Sequence, residues 1–327
     1  MQLIDLHCDT MYELKRRGKG ESLAQNSLSI DLDGMRRAGT ILQVFACFIY
    51  RKEWNTWEEG YAEVFRLLER MEQEVKQNKD EIRLIHNGSE IEKNRKCGRI
   101  SAMASLEEGG VLNGKLERLE VLKQKGIRMI TLTWNYENCI GYPNSRERSV
   151  MERGLKPFGE QVVKEMNRQG ILIDVSHLSD GGFWDCIRLS EKPVIASHSN
   201  CRALCDHPRN LSDEMLHALG EKGGIAGLNF YPQFVRVGGG QVSRKSLCEH
   251  TLHMIQKGGE DLPAIGSDFD GFEIEEPKNE AYIYQVEEME LLWESMKQCG
   301  ITERQLDKIW HGNAMRVLKE IDGRNDK

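Results

Sequence analysis

Eight short apolar runs recur along this 327-residue chain, and a longer amphipathic segment follows each. The runs cover residues 3–9, 41–49, 100–107, 129–135, 171–177, 193–199, 224–231 and 262–268. Most are continuous rather than alternating, the pattern of parallel strands buried on both faces. Helix patterns between and after them include residues 54–78, 116–125, 157–168, 246–257, 283–298 and 303–320. Gly126 and Gly170 stand where helices should end, and Ser179 and Ser212 where helices should begin. Strand followed by helix, eight times over, predicts an α/β fold. The expected form is a (β/α)8 TIM-type barrel, one domain over residues 1–327, with βα-loop insertions and a C-terminal helix. The competing open, doubly wound sheet usually shows a glycine-rich fingerprint after its first strand, and none is present. The polar segment 137–153 reads as an insertion near the barrel mouth. Residues 237–243, with three consecutive glycines, read as a second, flexible loop. The tail from Asp322 to Lys327 is expected to fray.

Apolar residues make up 39% of the chain and charged residues 30%, as in a soluble globular protein. A net charge of −7 argues against a nucleic-acid partner, which would call for a basic stripe. The N-terminus enters a strand pattern directly, without the basic and apolar regions of a leader. The longest apolar run, near residues 41–50, is too short to cross a bilayer. No membrane partner is expected, and a cytoplasmic location is. The nine cysteines are odd in number and lack a C-x-x-C pair, which suits free thiols in a reducing compartment. The spacing of Cys201 and Cys205 is a weak metal motif by itself.

Barrel chemistry gathers at the C-terminal ends of the strands. Here the first run ends in His7 and Asp9, and the third in Glu107-Glu108. The fifth ends in His177, the sixth in His198 and the eighth in Asp268. Three of only nine histidines therefore close predicted strands. Taken singly, each residue has an ordinary reading: a hydrogen-bonded histidine, a helix-capping aspartate, a solvated loop acid. Gathered at one barrel mouth, they read as a metal site. Residues i and i+2 of a strand share a face, so His7 and Asp9 should point together and Cys8 away from them. Three histidines with carboxylates suit Zn2+ or a similar ion. Five ligands exceed the need of one catalytic zinc with an open water position, so a pair of metals bridged by a carboxylate accounts for them better. His86, His217, His250, His253 and His311 fall in helix or loop patterns and read as structural residues.

The stretches "DLHCDT", "SLEEGG", "ITLTW", "GILIDVSHLS", "PVIASHSNCRAL", "HPRNLSDE" and "GSDFDG" resemble the renal (membrane) dipeptidase family, the M19 metallopeptidases among the amidohydrolase-like barrels. With "GNAMRVL", the resemblance runs from residue 5 to about residue 318. It implies two Zn2+ ions per subunit, one on His7 and Asp9, the other on His177 and His198, with a glutamate bridging them. The family spacing counted back from Trp134 lands on Glu107, with Glu108 the competing choice. Alternation favours Glu107, because it shares a face with Met103 and Ser105, while Glu108 falls on the helix-facing side. Arg209 matches the residue that grips the substrate's C-terminal carboxylate, and a guanidinium fork suits that group. Asp268 matches the acid that shuttles a proton. Trp134 is a departure, standing where mammalian members carry a histidine that steadies the tetrahedral intermediate. Tryptophan has one N–H and exchanges no proton, so the oxyanion donor and the substrate range are what this change touches. Trp134 and Tyr231 are expected to shape substrate binding. A homodimer is implied by the resemblance alone.

The expected activity is hydrolysis of a dipeptide, with a D-residue tolerated at the C-terminal position, through a metal-bridging hydroxide. Two other readings compete. One is a different binuclear amidohydrolase, such as a deacetylase or lactonase; the other is a non-catalytic binding protein.

Overall fold

The computed structural model describes residues 1–274 and 279–322, so the tail expected to fray lies, from residue 323 onward, outside the described residues. Nine parallel strands form one sheet: β1 (Leu3–Cys8), β2 (Thr40–Phe48), β3 (Ile82–Leu84), β4 (Ile100–Glu107), β5 (Ile127–Thr131), β6 (Leu172–Asp174), β7 (Val194–Ala196), β8 (Ile225–Leu228) and β9 (Pro263–Ile265). β2 pairs directly with β4, from Leu42 opposite Ser101 to Phe48 opposite Glu107. β9 returns to β1 where Asp5 lies opposite Ile265. Eight strands thus close into a single-domain TIM-like barrel. β3 sits outside the ring, paired with residues 100–102 of β4 ahead of the stretch 104–107 that pairs with β5. Its three residues, Ile82, Arg83 and Leu84, put a charge between two apolar side chains, so no continuous apolar run marks it.

Two apolar layers hold the barrel. The larger lies between sheet and helices and includes Phe45, Leu106, Ile130, Ile173 and Leu228. The smaller joins Ile4, Leu42, Met103, Leu172 and Ile195 to Met315 and Leu318 of the last helix, Asn313–Ile321. Asn313 anchors that helix at the start of β9, donating to the carbonyls of Pro263 (2.8 Å) and Glu260 (3.0 Å). This end of the barrel is therefore an apolar plug, and the polar strand ends are left at the other.

The helix starts follow the expected caps. Ser179 accepts from Gly182 N, and Ser212 from Met215 N. Two long helix patterns are interrupted. The 283–298 pattern becomes a helix only from Met289, because the Glu288 carboxylate accepts from Tyr284 N and Gln285 N ahead of a short turn. The 303–320 pattern divides into Glu303–Asp307, a π-turn over Lys308–Gly312, and the last helix. All nine cysteines are free. Among the described residues no helix is long and apolar enough to cross a membrane.

Candidate metal centre

The strands stop short of the residues they deliver. β6 ends at Asp174, β7 at Ala196 and β9 at Ile265, so His177, His198 and Asp268 stand on the first residues beyond the strands rather than inside them. His177 (φ 67°) and Asp268 (φ 62°) are left-handed, which breaks the extended pairing. Loop contacts hold them there. The His177 carbonyl accepts from Asn144 N at 2.7 Å and from the Asn144 side chain at 3.0 Å. Asp268 N donates to the His7 carbonyl, and Asn229 Nδ2 donates to Asp268 Oδ2 at 2.9 Å. Six non-glycine residues among those described have positive φ, and Glu108, His177, Asp268 and Asp270 are four of them. Strain concentrated at one mouth in this way belongs to functional sites.

Five buried groups and the partly exposed Asp268 meet there. His7 Nε2 lies 3.3 Å from Glu107 Oε2, 3.5 Å from Asp9 Oδ2 and 3.8 Å from Asp268 Oδ1. Glu107 Oε1 lies 3.1 Å from His177 Nε2 and 3.6 Å from His198 Nε2. Glu107 therefore turns one oxygen to His7 and the other to the remaining histidines. Glu108 faces elsewhere, accepting from Gly110 N, Trp134 N and the Asn138 amide. Asp9 lies one residue past β1, at the start of the helix Thr10–Arg17, yet still converges with His7. Cys8 is packed outward against the Val44 carbonyl and the Thr10 hydroxyl.

Hydrogen-bond partners assign the histidine tautomers. His177 Nδ1 faces the Asn135 amide oxygen at 3.0 Å, so it carries the proton. His198 Nδ1 faces Ser197 Oγ at 2.7 Å, and the Ser197 proton goes to Asp174 Oδ2 at 2.6 Å, so this Nδ1 also carries its proton. Both Nε2 atoms then present lone pairs, and they lie 3.1 Å apart. Two lone pairs so close repel unless a cation lies between them. The two ring nitrogens of His7, Asp9 Oδ1 and Glu107 Oε1 are buried without hydrogen-bond partners, a heavy cost for polar atoms left alone. Ligand atoms of His7, Glu107 and His198 lie within 4.8 Å of one another, as do those of His7, Asp9 and Asp268. Nitrogen and carboxylate donors at this spacing fit divalent metal ions.

The charges agree. Burial pushes Asp9 up to about 6 and Asp268 up to about 7, with His7 opposing both shifts. Burial pulls His7 down, but Glu107 and Asp9 outweigh it and hold the imidazole well above its usual range. Burial, reinforced by Arg209, drives His177 down to about 4; burial and His7 take His198 well below its ordinary value. The carboxylate side thus attracts positive charge, while His177 and His198 stay neutral, as ligands must.

A cavity of about 790 Å³ opens above the cluster, lined in part by Trp134, Asn135, Tyr231 and Asp270. Trp134 packs edge-on to Phe48 (5.0 Å between centroids) and Tyr50 (5.5 Å). Tyr231 packs against Phe234 and Phe272 on that lining. Arg209 is only 4% exposed and packs beside His198, close enough to the cluster for the charges of Asp268 and Glu107 to act on it. It donates to Ser199 Oγ (2.8 Å) and to the His198 carbonyl (3.0 Å), and its Nε is buried without a partner.

The model of Peptidase family M19, membrane dipeptidase, matches residues 1–327. The chain belongs to the M19 family. M19 proteins are metallopeptidases, and the donor set just described suits that chemistry. A Klebsiella pneumoniae relative, an uncharacterized protein of the pqqA 5' region, is 32% identical over 249 residues, 73% of this chain and 89% of its own. A solved dipeptidase of family M19 superposes with a TM-score of 0.87 at 25% identity, covering 98% of both chains. A Rhodobacter sphaeroides metallopeptidase, solved with a phosphinate mimic of the dipeptide L-Ala-D-Ala, superposes at 0.88 with 24% identity, covering 98% of this chain and 99% of that one. At that identity the last likeness shows the fold.

Sequence reading of this M19 chain missed the groups behind the histidines. Ser197 holds His198, Asp174 holds Ser197 and Asn229 holds Asp268, yet none of these three stood out in the sequence. A signal was there: Leu-Ile-Asp recurs at residues 3–5 and 172–174, ahead of His7 and His177, and a serine directly precedes both His198 and Asp268.

Proposed function

We propose that this M19 chain hydrolyses dipeptides with two Zn2+ ions, and that it accepts a D-residue at the C-terminal position. The observation that carries the reading is Glu107, whose two oxygens address different histidines, as a bridging carboxylate requires. His7 and Asp9 would hold one ion, and His177 and His198 the other. Bound there, the metal pair supplies Lewis acidity that polarises a carbonyl and acidifies a water. Asp268 would take the water's proton and return it to the leaving amine. In the metal-free protein burial raises its pKa above the usual carboxylate range. Asn229 holds its Oδ2, which leaves Oδ1 turned toward His7. Arg209, a cation fixed beside His198, would draw the substrate's carboxylate and limit the enzyme to short peptides. Trp134 and Tyr231 would frame the side chains.

The test is a panel of L-Xaa-L-Xaa and L-Xaa-D-Xaa dipeptides, tripeptides, N-acetyl amino acids and lactones, assayed on Zn2+-loaded protein with His177→Ala as control. Metal-dependent cleavage of dipeptides, lost in the control, is expected. Turnover of lactones or N-acetyl amino acids with no dipeptide cleavage would overturn the reading. A cytoplasmic homodimer belongs to the same proposal. Light scattering on the purified protein and fractionation of the source cells test its two parts.

A further inference from the structure

We infer that Asp174, acting through Ser197, is a positioning residue that fixes which nitrogen of His198 faces the centre. Asp174 is buried at the end of β6 and takes four donors: Thr131 Oγ1 (2.6 Å), Ser176 N (3.0 Å), Ser197 N (2.8 Å) and Ser197 Oγ (2.6 Å). Every lone-pair direction of the carboxylate is occupied, so it can only accept. Ser197 has one hydroxyl proton and gives it to Asp174. Its remaining close partner, His198 Nδ1 at 2.7 Å, must then be the donor. The imidazole is left with its lone pair on Nε2. A bare histidine prefers neither nitrogen strongly enough to guarantee this.

The relay is braced from two further sides. The His198 backbone N–H donates to Ser176 Oγ at 3.1 Å. The Ser197 carbonyl lies so close to Gly227 and Gly266 that a Cβ on either glycine would collide with it. The same device recurs across the barrel. Asp5 of β1 accepts from Ser267 N (2.9 Å) and Ser267 Oγ (2.6 Å), and Ser267 directly precedes Asp268. In both places a strand-borne carboxylate clamps the backbone and hydroxyl of a serine, and that serine precedes a residue of the centre. The repetition makes the Asp174–Ser197 contact a positioning element rather than a chance of packing.

The inference rests on His198 being a metal ligand, and its test separates the two ideas. Wild type, Ser197→Ala, Ser197→Thr and Asp174→Asn are titrated with Zn2+ against a chromophoric chelator. The histidine nitrogens of each metal-free protein are read by 15N NMR. Ser197→Ala should weaken Zn2+ binding by about 10–100-fold, the usual cost of losing a ligand's supporting partner. Its His198 should pass from the Nδ1–H form to a mixture of tautomers. Ser197→Thr keeps the hydroxyl and should restore both; Asp174→Asn should act like Ser197→Ala. Unchanged affinity in Ser197→Ala, or an unchanged His198 tautomer, would overturn the inference. If wild type bound no metal, the proposed function would fail, and the tautomer of metal-free His198 would still decide this point.

Discussion

Glu107 and Glu108 are neighbours, both buried, and share no partner: Glu107 faces His7 and His177, and Glu108 faces Asn138 and two loop N–H groups. Glu108 can turn away because its backbone is left-handed, at φ 95°. The two glutamates should therefore respond differently to the same change. Glu107→Gln removes the charge between the histidines and should lower kcat/KM by roughly two orders of magnitude or more, the scale of breaking a buried charge cluster at about 3–5 kcal/mol. Bound zinc, read by atomic absorption, should fall with it. Glu108→Gln sets an amide N–H against Trp134 N–H. It should cost about 1–3 kcal/mol of stability and lower the melting temperature, with zinc content unchanged.

Removing metal should have two separable effects. Dialysis against a chelator should abolish dipeptide hydrolysis, and added Zn2+ should restore it. The melting temperature should also fall, because ligand binding to the native state stabilises it by about 4 kcal/mol at a thousandfold excess over Kd. Differential scanning calorimetry with and without Zn2+ checks the second effect independently of turnover.

Arg209 is read as the partner of a substrate carboxylate, so the substrate's own charge should reveal it. A dipeptide with an amidated C-terminus should be cleaved with kcat/KM lower by about 10–100-fold, the worth of a charged hydrogen bond at about 1.5–3 kcal/mol. In Arg209→Lys the gap between acid and amide should shrink. An equal loss on both substrates would instead mark Arg209 as a support for the His198 loop, which it also contacts.

His250 offers a pH test away from the centre. Its Nδ1 accepts from Cys201 N at 3.1 Å, and its Nε2 donates to the Val235 carbonyl at 3.0 Å. A second ring proton would confront the Cys201 N–H. Burial pulls His250 down to about 4, whereas an unfolded histidine titrates near 6.5. Between those values the unfolded chain binds the extra proton first. The stability from neutral His250 is thus full above pH 6.5 and is lost as pH falls toward 4, by up to about 1.4 kcal/mol per pH unit. Urea unfolding of metal-free protein should show His250→Gln less stable at pH 7 and with a shallower loss between pH 6.5 and 4.

Much of this molecule is legible in one dimension. Eight apolar runs translate into eight barrel strands, because strand burial depends on consecutive residues and leaves its mark on them. The polar residues at the ends of those runs, His7, Asp9, Glu107, His177, His198 and Asp268, all reach one mouth. A closed parallel barrel sends every strand's C-terminal end to the same side. Glu107 over Glu108 was readable from strand alternation, since Met103 lies in the inner apolar layer and Leu106 in the outer one.

Other features depended on contacts between distant residues. The strands end early because His177 and Asp268 adopt left-handed backbones, held by Asn144 and by the His7 carbonyl. No local pattern announces either contact. The histidine tautomers depend on Asn135, Ser197 and Asp174, which lie on different strands or loops from the rings they orient or, like Ser197, need a partner 23 residues away. Arg209 is fixed beside His198 because its guanidinium donates to Ser199 Oγ and to the His198 carbonyl, contacts that no local pattern announces. Burial pattern and donor chemistry are properties of the residues themselves, so the sequence alone determined the barrel and the metal-binding groups. Proton position, ligand orientation and the separate duties of two adjacent glutamates arise from hydrogen bonds between segments far apart in the chain, and only the tertiary structure decided them.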